Sequence, residues 1–132
     1  MESWLNQIKE ETDAKIKIGV VLPLTGKLAL TGQRVLQGIQ LAVNQLPFPF
    51  REKLGLEVRD SGELPIKGVI TELAGLPNVG GIIGPLLSDE VKIAGEVARQ
   101  YQIPIFSPTA STQGLVDMNP YTFRNALTRE IQ

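Results

Sequence analysis

Small hydroxyl side chains follow three apolar stretches of the sequence, and their chemistry suits a ligand site. Thr25 follows the first stretch, Ser88 the second, and Thr109 and Ser111 the third. Hydroxyls and the backbone N–H groups of a helix N-terminus donate hydrogen bonds to a carboxylate, and the helix dipole favours its negative charge. We therefore predict that the ligand-contacting residues lie in three short loops: Thr25, Leu87, Ser88, Thr109, Ala110 and Ser111.

Each of these hydroxyls also has a purely structural interpretation. Ser88 suits the N-cap position of a following helix, and this role is compatible with ligand binding because a hydroxyl accepts one hydrogen bond while donating another. Thr109 and Ser111 suit turns, or the cap of a short helix around Gln113. The stronger argument for binding is that all three loops are expected at one edge of a sheet.

Catalysis fits the same loops poorly. The sequence contains no His and no Cys, which excludes a Ser-His-Asp constellation, thiol chemistry and the usual transition-metal sites. Asp60 and Asp89 are expected within reach of the rim of the site, but neither has an evident partner that would shift its pKa. We predict a binding protein without a cofactor or a metal, not an enzyme.

Nucleotide binding is the next alternative. A P-loop requires GxxxxGK followed by Ser or Thr, whereas six residues separate Gly19 from Gly26, and Leu28 follows Lys27. No GxGxxG motif follows the first apolar stretch, and Asp60 alone occupies the place of a ribose-binding acid. A Rossmann-like nucleotide-binding domain therefore remains only a lesser alternative.

The charge balance excludes other classes of partner. Lys and Arg total 13 against 14 for Asp and Glu, and these charges are scattered along the chain, so nucleic acid is not an expected partner. No apolar run approaches the ~20 residues of a membrane-spanning helix, so we expect no membrane insertion. Residues 1–15 are too acidic for a secretion signal, because they contain Glu2, Glu10, Glu11 and Asp13. We expect any such signal to have been removed.

Apolar periodicity predicts strands that alternate with helices. Strands are predicted at residues 15–22, 54–58, 79–84 and 103–106, and a short fifth strand within 119–126. Thr31 is the predicted N-cap of a helix to Gln45, and Pro65 and Ser88 are predicted to open two further helices. Residues 128–132 resemble the start of another helix.

This alternation predicts an α/β fold with a doubly wound parallel sheet. Helical crossovers of this length connect parallel strands in a right-handed sense, and the commonest order for five such strands is 2-1-3-4-5. In that order the loops at Thr25 and Ser88 flank one crevice, and the loop at Thr109 lies beside it. The short, more polar second strand is expected at an edge of the sheet.

Two apolar segments outside the predicted core each have two interpretations. Trp4, Leu5 and Ile8 lie on one face of a helical pattern, which fits a solvated leader or the end of a helical domain upstream. Phe48 and Phe50 are expected to pack as a lid on the edge of the core, or to mark an interface if they are exposed.

Five motifs, in order, resemble the first lobe of type I periplasmic binding proteins, especially the leucine/isoleucine/valine-binding branch. They are IGVVLPLTG at 18–26, GIQLA at 38–42, VRDS at 58–61, IIGPLLS at 82–88 and IFSPTA at 105–110. The resemblance implies that residues 15–132 form the first lobe, as far as the crossover to a second lobe. Residues 1–14 would then be a helical leader or linker.

The resemblance also implies a function. In this family two lobes close on an amino acid outside the cytoplasm, and an ABC permease takes it up. By motif position, Ser88 would contact the ligand carboxylate, Thr109 would contribute backbone and side chain, and Ser111 would contact carboxylate and ammonium. Thr31 stands where some relatives place an aromatic residue against the ligand. This residue therefore does not predict an apolar pocket for the ligand side chain.

The resemblance leaves one functional alternative and one expectation about association. The motifs are also similar to a sister group of lipoproteins that regulate cell-wall synthases, and the leader at Trp4 to Ile8 fits that group. A first lobe by itself would expose apolar surface at its hinge and crossover. We therefore expect this chain to self-associate as a dimer at high concentration.

Overall fold

Strands and helices alternate along the chain as the hydrophobic pattern predicts. The computed structural model describes residues 16–62, 64–108 and 120–124. Its elements, in order, are β1 Ile16–Leu22, α1 Ala29–Asn44, α2 Phe50–Lys53, β2 Leu54–Asp60, α3 Ile66–Ala74, β3 Val79–Ile83, α4 Ser88–Tyr101, β4 Ile105–Ser107 and β5 Thr122–Arg124. The predicted leader, Gln113 and the predicted helix start at 128–132 lie outside the described residues.

The five strands form one parallel sheet in the order β2-β1-β3-β4-β5, which confirms the predicted fold class and strand order. β1 is paired along one side with β2 and along the other with β3. Its last residues, Val20, Val21 and Leu22, are fully buried. β2 is an edge strand, as its polar character predicts, and β5 is the other edge.

One face of the sheet, which we call the first face, is covered by α3 and α4. Val21, Ile82 and Ile105 contribute to this face from three neighbouring strands. The helices contribute a larger set of buried apolar residues to the same core: Ile66, Val69, Ile70, Leu73, Ala74, Ala94, Val97 and Ala98. This core explains why the α3 and α4 patterns read clearly as amphipathic helices.

The opposite, second face carries a smaller core under α1. Val20 and Leu22 of β1 and Leu86 are its buried residues. Partly buried side chains from α1 and β2 pack against them: Val35, Leu36, Ile39, Leu56 and Val58. Ala42 and Leu46, which the sequence placed in the buried stripe of α1, are exposed, so the contacts of α1 with this core extend only to Ile39.

Several predicted boundaries are wrong by one to three residues. α1 begins at Ala29, not after Thr31, because the chain turns at Gly26 (φ +80°) and the Ala29 N–H already bonds the Gly26 carbonyl at 3.2 Å. Pro65 is the N-cap of α3 and not its first helical residue. β4 begins at Ile105, because the Ile103 N–H is used to end α4 by bonding the Ala98 carbonyl at 2.9 Å.

The predicted lid at Phe48 and Phe50 is also wrong. The two rings are 70% and 63% exposed, so neither covers the core. The chain between α1 and β2 instead forms the short helix α2, which starts at Phe50 and has no buried residue. Of the two interpretations made from sequence, only the exposed one agrees with the structure.

Gly32 allows α1 to approach the end of β1. A Cβ atom at this position would lie 1.9 Å from the Pro23 carbonyl oxygen, far inside van der Waals contact. Gly32 is also the buried residue of α1. The helix can therefore lie against the loop after β1 only because no side chain is present at this point.

We predict that Gly32→Ala destabilises the fold by about 1–3 kcal/mol, because the clash with Pro23 outweighs the better helix propensity of alanine. Gly38 in the same helix is the matched control, since its Cβ would meet no atom within 4 Å. Gly38→Ala should stabilise the fold by about 0.5–1 kcal/mol. Urea unfolding followed by circular dichroism measures both, and equal effects of the two changes would contradict the close approach.

Candidate functional site

The candidate site lies at the carboxyl ends of β1 and β3. These neighbouring strands are paired in parallel, with Val20 opposite Ile83, so the loops that follow them leave the sheet side by side. From β1 the chain continues to β2 on one side, whereas from β3 it continues to β4 on the other. In doubly wound sheets, the crevice between two loops that diverge in this way is the usual ligand position.

Asp60, the last residue of β2, fixes the loop after β1. Its Oδ1 accepts hydrogen bonds from the Leu24 N–H and the Gly62 N–H, both at 2.8 Å. Its Oδ2 accepts the Thr25 hydroxyl, also at 2.8 Å. The Ser61 N–H adds a fourth link by bonding the Leu22 carbonyl at 2.9 Å. The loop that carries Thr25 is therefore fastened to the end of the neighbouring strand.

These contacts explain the ionisation of Asp60. Partial burial by itself raises the pKa of this carboxyl, but the hydrogen bonds donated by Gly62, Leu24 and Thr25 together outweigh burial and hold the pKa below its ordinary value. The prediction that Asp60 lacks a partner able to shift its pKa is therefore wrong. The carboxylate serves the loop structure, and the Thr25 hydroxyl is committed to it as a donor.

The loop after β3 is held from both sides. Gly84 has φ +99°, and a Cβ atom there would lie 1.9 Å from the Val21 carbonyl oxygen of β1. On the other side, the buried Ser107 hydroxyl at the end of β4 donates to the Pro85 carbonyl at 2.7 Å. The Gly84 N–H also bonds the Phe106 carbonyl at 2.8 Å. These contacts fix the path of the chain into α4.

Ser88 is the first residue of α4, which confirms the prediction that it opens this helix, whereas the interpretation of Ser88 as the N-cap is wrong. Leu87 occupies the N-cap position with extended backbone (φ −86°, ψ 139°), and its carbonyl accepts the Val91 N–H at 2.9 Å. Leu87 has no polar side-chain atom, so its side chain does not cap the N-terminus of α4. The side chain is 49% exposed. Ser88, partly buried, lies at the positive end of the helix dipole.

Two acids follow in the first turn of α4, as the sequence predicts. Asp89 is exposed, whereas Glu90 is partly buried, and this burial raises the pKa of Glu90. A charge of this sign near the helix N-terminus offsets part of the dipole. An anion bound beside Ser88 would therefore depend more on directional hydrogen bonds than on net positive potential.

The structure brings together the predicted residues of the first two loops. Thr25, Leu87 and Ser88 lie in the loops after β1 and β3 or at the start of α4. Thr109, Ala110 and Ser111 follow β4 but lie outside the described residues, so their placement stays a prediction. Within the described part of the chain, no group of three or more His, Cys, Asp or Glu could hold a metal ion.

Sequence reasoning missed the positioning roles of Asp60 and Ser107. Asp60 stands in a DSG sequence, and short polar side chains followed by Gly commonly bond backbone N–H groups two residues ahead, as Asp60 does with Gly62. The sequence therefore contained a local signal for this role of Asp60. The contact between Ser107 and Pro85 joins residues 22 positions apart, and nothing local in the sequence indicates it.

No helix within the described ranges is both long and apolar enough to span a membrane.

Comparison with known proteins places this geometry in a family. The periplasmic binding protein family matches residues 15–129. A Leu/Ile/Val-binding protein from Rhizobium johnstonii is 30% identical over 107 residues, which cover 77% of this chain and 29% of that protein.

Solved structures agree with this match. The substrate-binding protein of a branched-chain amino acid transporter from Streptococcus pneumoniae, in complex with isoleucine, has 26% identity and a TM-score of 0.78. An ABC transporter substrate-binding protein from Sphaerobacter thermophilus has 30% identity and a TM-score of 0.75. Each alignment covers 86% of this chain but only 34% and 32% of those proteins, respectively.

We predict that Asp60→Asn costs about 1–3 kcal/mol of stability at pH 7, because it removes the carboxylate that three donors share. Since the folded pKa of Asp60 is lowered, its contribution is complete above the unfolded pKa of about 4 and is lost as pH falls through the folded pKa. The difference between wild type and variant should therefore shrink below pH 4.

Urea unfolding at pH 7 and at successively lower pH measures this difference. Glu52→Gln is the control, because Glu52 is an exposed acid on α2. A difference for Asp60→Asn that stays constant down to the lowest pH at which the protein folds would contradict the role of the carboxylate.

Two buried serines provide a second matched pair. Ser107→Ala should destabilise the fold by about 1–3 kcal/mol, because it leaves the Pro85 carbonyl without its buried donor. The Ser61 Oγ is buried without a hydrogen-bond partner among the described residues, so Ser61→Ala should leave stability unchanged or increase it by up to about 1 kcal/mol. Thermal unfolding by calorimetry tests both changes, and a larger loss at Ser61 would refute this assignment.

Proposed function

The chain belongs to the periplasmic binding protein family, and we propose that it is the first lobe of a solute-binding component of an ABC importer. The proposed ligand is an amino acid or a similar small polar molecule. The observation that carries this proposal is the junction of the loops after β1 and β3 at the point where the strand order diverges, with Ser88 at the start of α4. The role is binding, without catalysis.

Ser88 is the proposed contact for the ligand carboxylate. Its position in the first turn of α4 places a hydroxyl where helix N–H groups and the helix dipole also favour an anion. Leu87 is half exposed beside it and offers apolar surface to the ligand. Thr109, Ala110 and Ser111 are proposed to complete the first-lobe site from the loop after β4.

Thr25 has a different proposed role from Ser88. Its hydroxyl donates to Asp60, so it contributes to the site chiefly by holding the loop after β1 in place. A pre-positioned loop lowers the entropy lost when a ligand is bound. Asp60 and Ser107 are the corresponding positioning residues at the ends of β2 and β4.

A second lobe is proposed to complete the clamp. The described crevice is an open sheet edge, whereas tight binding requires that a polar ligand exchange its water contacts for protein contacts on all sides. Residues 15–132 would form the first lobe and residues 1–14 a leader or linker, with the ABC permease as partner and the periplasm or cell exterior as location. The ligand ammonium would then find its acidic partner in the second lobe.

An amide NMR titration of the 132-residue chain with a pool of the twenty amino acids tests this proposal. We expect saturable shifts at Leu87, Ser88, Thr109 and Ser111, with a dissociation constant of about 1 mM or weaker because only half of the site is present. Separation of the pool into single amino acids then identifies the ligand.

Matched variants test where the ligand binds. Ser88→Ala should weaken binding at least about tenfold, which corresponds to about 1.4 kcal/mol for one lost hydrogen bond to a charged group. Thr71→Ala removes an exposed hydroxyl of α3, one that bonds the Lys67 carbonyl, and should leave binding unchanged. Absence of shifts at all three loops would contradict solute binding and favour the lipoprotein alternative.

A further inference from the structure

Exposed apolar side chains cluster where α1 ends and α2 begins. The Arg51 guanidinium of α2 donates to the Asn44 carbonyl at the end of α1 at 3.3 Å, so the two helices meet there. The exposed side chains of this segment, which we call the amino-edge patch, are Leu41, Leu46, Phe48 and Phe50. Leu41 is 60% exposed, and both rings are more exposed. Several large apolar side chains exposed in one short segment indicate a contact surface.

The leader, residues 1–14, joins the sheet beside this patch. Ile16 is the first residue of β1 and pairs with Leu54, the first residue of β2. α2 ends at Lys53, directly before Leu54. Because paired strands lie about 5 Å apart, the start of β1 is next to the end of α2. The chain before Ile16 therefore leaves the sheet at the same end as the amino-edge patch.

The other undescribed stretches join the sheet elsewhere. Residues 109–119 connect β4 to β5, and residues 125–132 follow β5, which is the opposite edge of the sheet from β2. Residue 63 follows β2 at the carboxyl ends of the strands, whereas the patch lies at their amino ends. The leader is therefore the undescribed segment whose point of attachment adjoins the patch.

The composition of the leader is complementary to this surface. Trp4, Leu5 and Ile8 are spaced as one apolar face of a helix. Four acids accompany one base in the leader, which gives it a net charge of −3: Glu2, Lys9, Glu10, Glu11 and Asp13. The last turn of α2 contains Arg51 and Lys53. Opposite charges of this kind favour and orient a contact between two surfaces.

We propose that the leader packs on the amino-edge patch as an amphipathic helix, with its apolar face against the patch and its acids toward α2. A helix over residues 2–10 would be about 13 Å long, and residues 11–15 span up to about 17 Å, so the leader reaches α1 from the start of β1. The family match begins at residue 15, so this contact would be an addition to the family lobe. It does not depend on the solute-binding role, because the crevice lies at the other end of the strands.

A small contact is sufficient because the leader belongs to the same chain. A segment tethered by a short linker has an effective concentration of about 1 mM, whatever the protein concentration. A contact with a dissociation constant of about 0.1 mM would then be formed in about nine-tenths of the molecules. A separate partner at micromolar concentration would need a much larger surface.

Fluorescence quenching tests the proposal on the 132-residue chain, because Trp4 is its only tryptophan. Acrylamide should quench Trp4 at least about twofold less in the folded chain than in urea, since a packed indole is shielded from solvent. Leu41→Glu should raise quenching of the folded chain at least about twofold, because it places an unpaired carboxylate in the contact. Leu30→Glu is the matched control, since Leu30 is also 60% exposed but lies near the other end of α1, and it should leave quenching unchanged.

A second measurement covers the case in which Leu41→Glu does not fold. In the wild-type chain, NOEs should connect the Trp4 indole with the Leu41 methyl groups or the Phe50 ring. Quenching of wild type as strong as in urea would overturn the proposal, and so would equal effects of the two exchanges or the absence of these NOEs. Shielding of Trp4 that increases with protein concentration would also overturn it, because a second copy would then cover the patch.

Discussion

The hydrogen bonding of β1 along both of its sides is the constraint on which the rest of the structure depends. β1 is paired with β2 over its full length and with β3 over most of it, so its buried carboxyl end has a neighbour on each side. Because the chain leaves β1 toward one edge and returns to build the sheet toward the other, the strand order diverges at this point. The crevice is therefore a consequence of topology, and any side chain at the ends of β1 and β3 is delivered to it.

Topology alone does not hold the loops in place, and three separate contacts do so. Asp60 fastens the loop after β1 to the end of β2. Gly84 brings the loop after β3 against the Val21 carbonyl, and Ser107 fastens the same loop to the end of β4. Together they connect the ends of four neighbouring strands. Loops held in this way would reduce the entropy cost of the proposed ligand binding.

The two faces of the sheet are unequally covered. α3 and α4 enclose a large core with Val21, Ile82 and Ile105, whereas α1 covers only the β1 and β2 part of the other face. The half under α1 supports these loops, since Leu22 at the end of β1 and Leu86 in the loop after β3 lie in its core. Among the described residues, Phe106 and Phe123 on the remaining half are partly exposed.

The sequence by itself determined the order and type of the elements and the edge at which the site lies. The apolar run of β1 and the amphipathic patterns of α3 and α4 are local signals, and helices that alternate with strands are typical of a parallel sheet. The fold class and the commonest strand order followed from them. Thr25 and Ser88 stand at the ends of apolar stretches, and these local patterns also indicated where the two loops lie. Each of these inferences needs only the residues of one segment and general rules of chain connection.

Tertiary structure decided how individual residues are used. Leu87 and not Ser88 is the N-cap of α4, and Thr25 is committed to Asp60, because close contacts between distant segments set the course of each loop. Phe48 and Phe50 are exposed although their apolar side chains favour burial. Such outcomes depend on which strands lie side by side and how closely their loops approach, and these are distances that no local pattern contains.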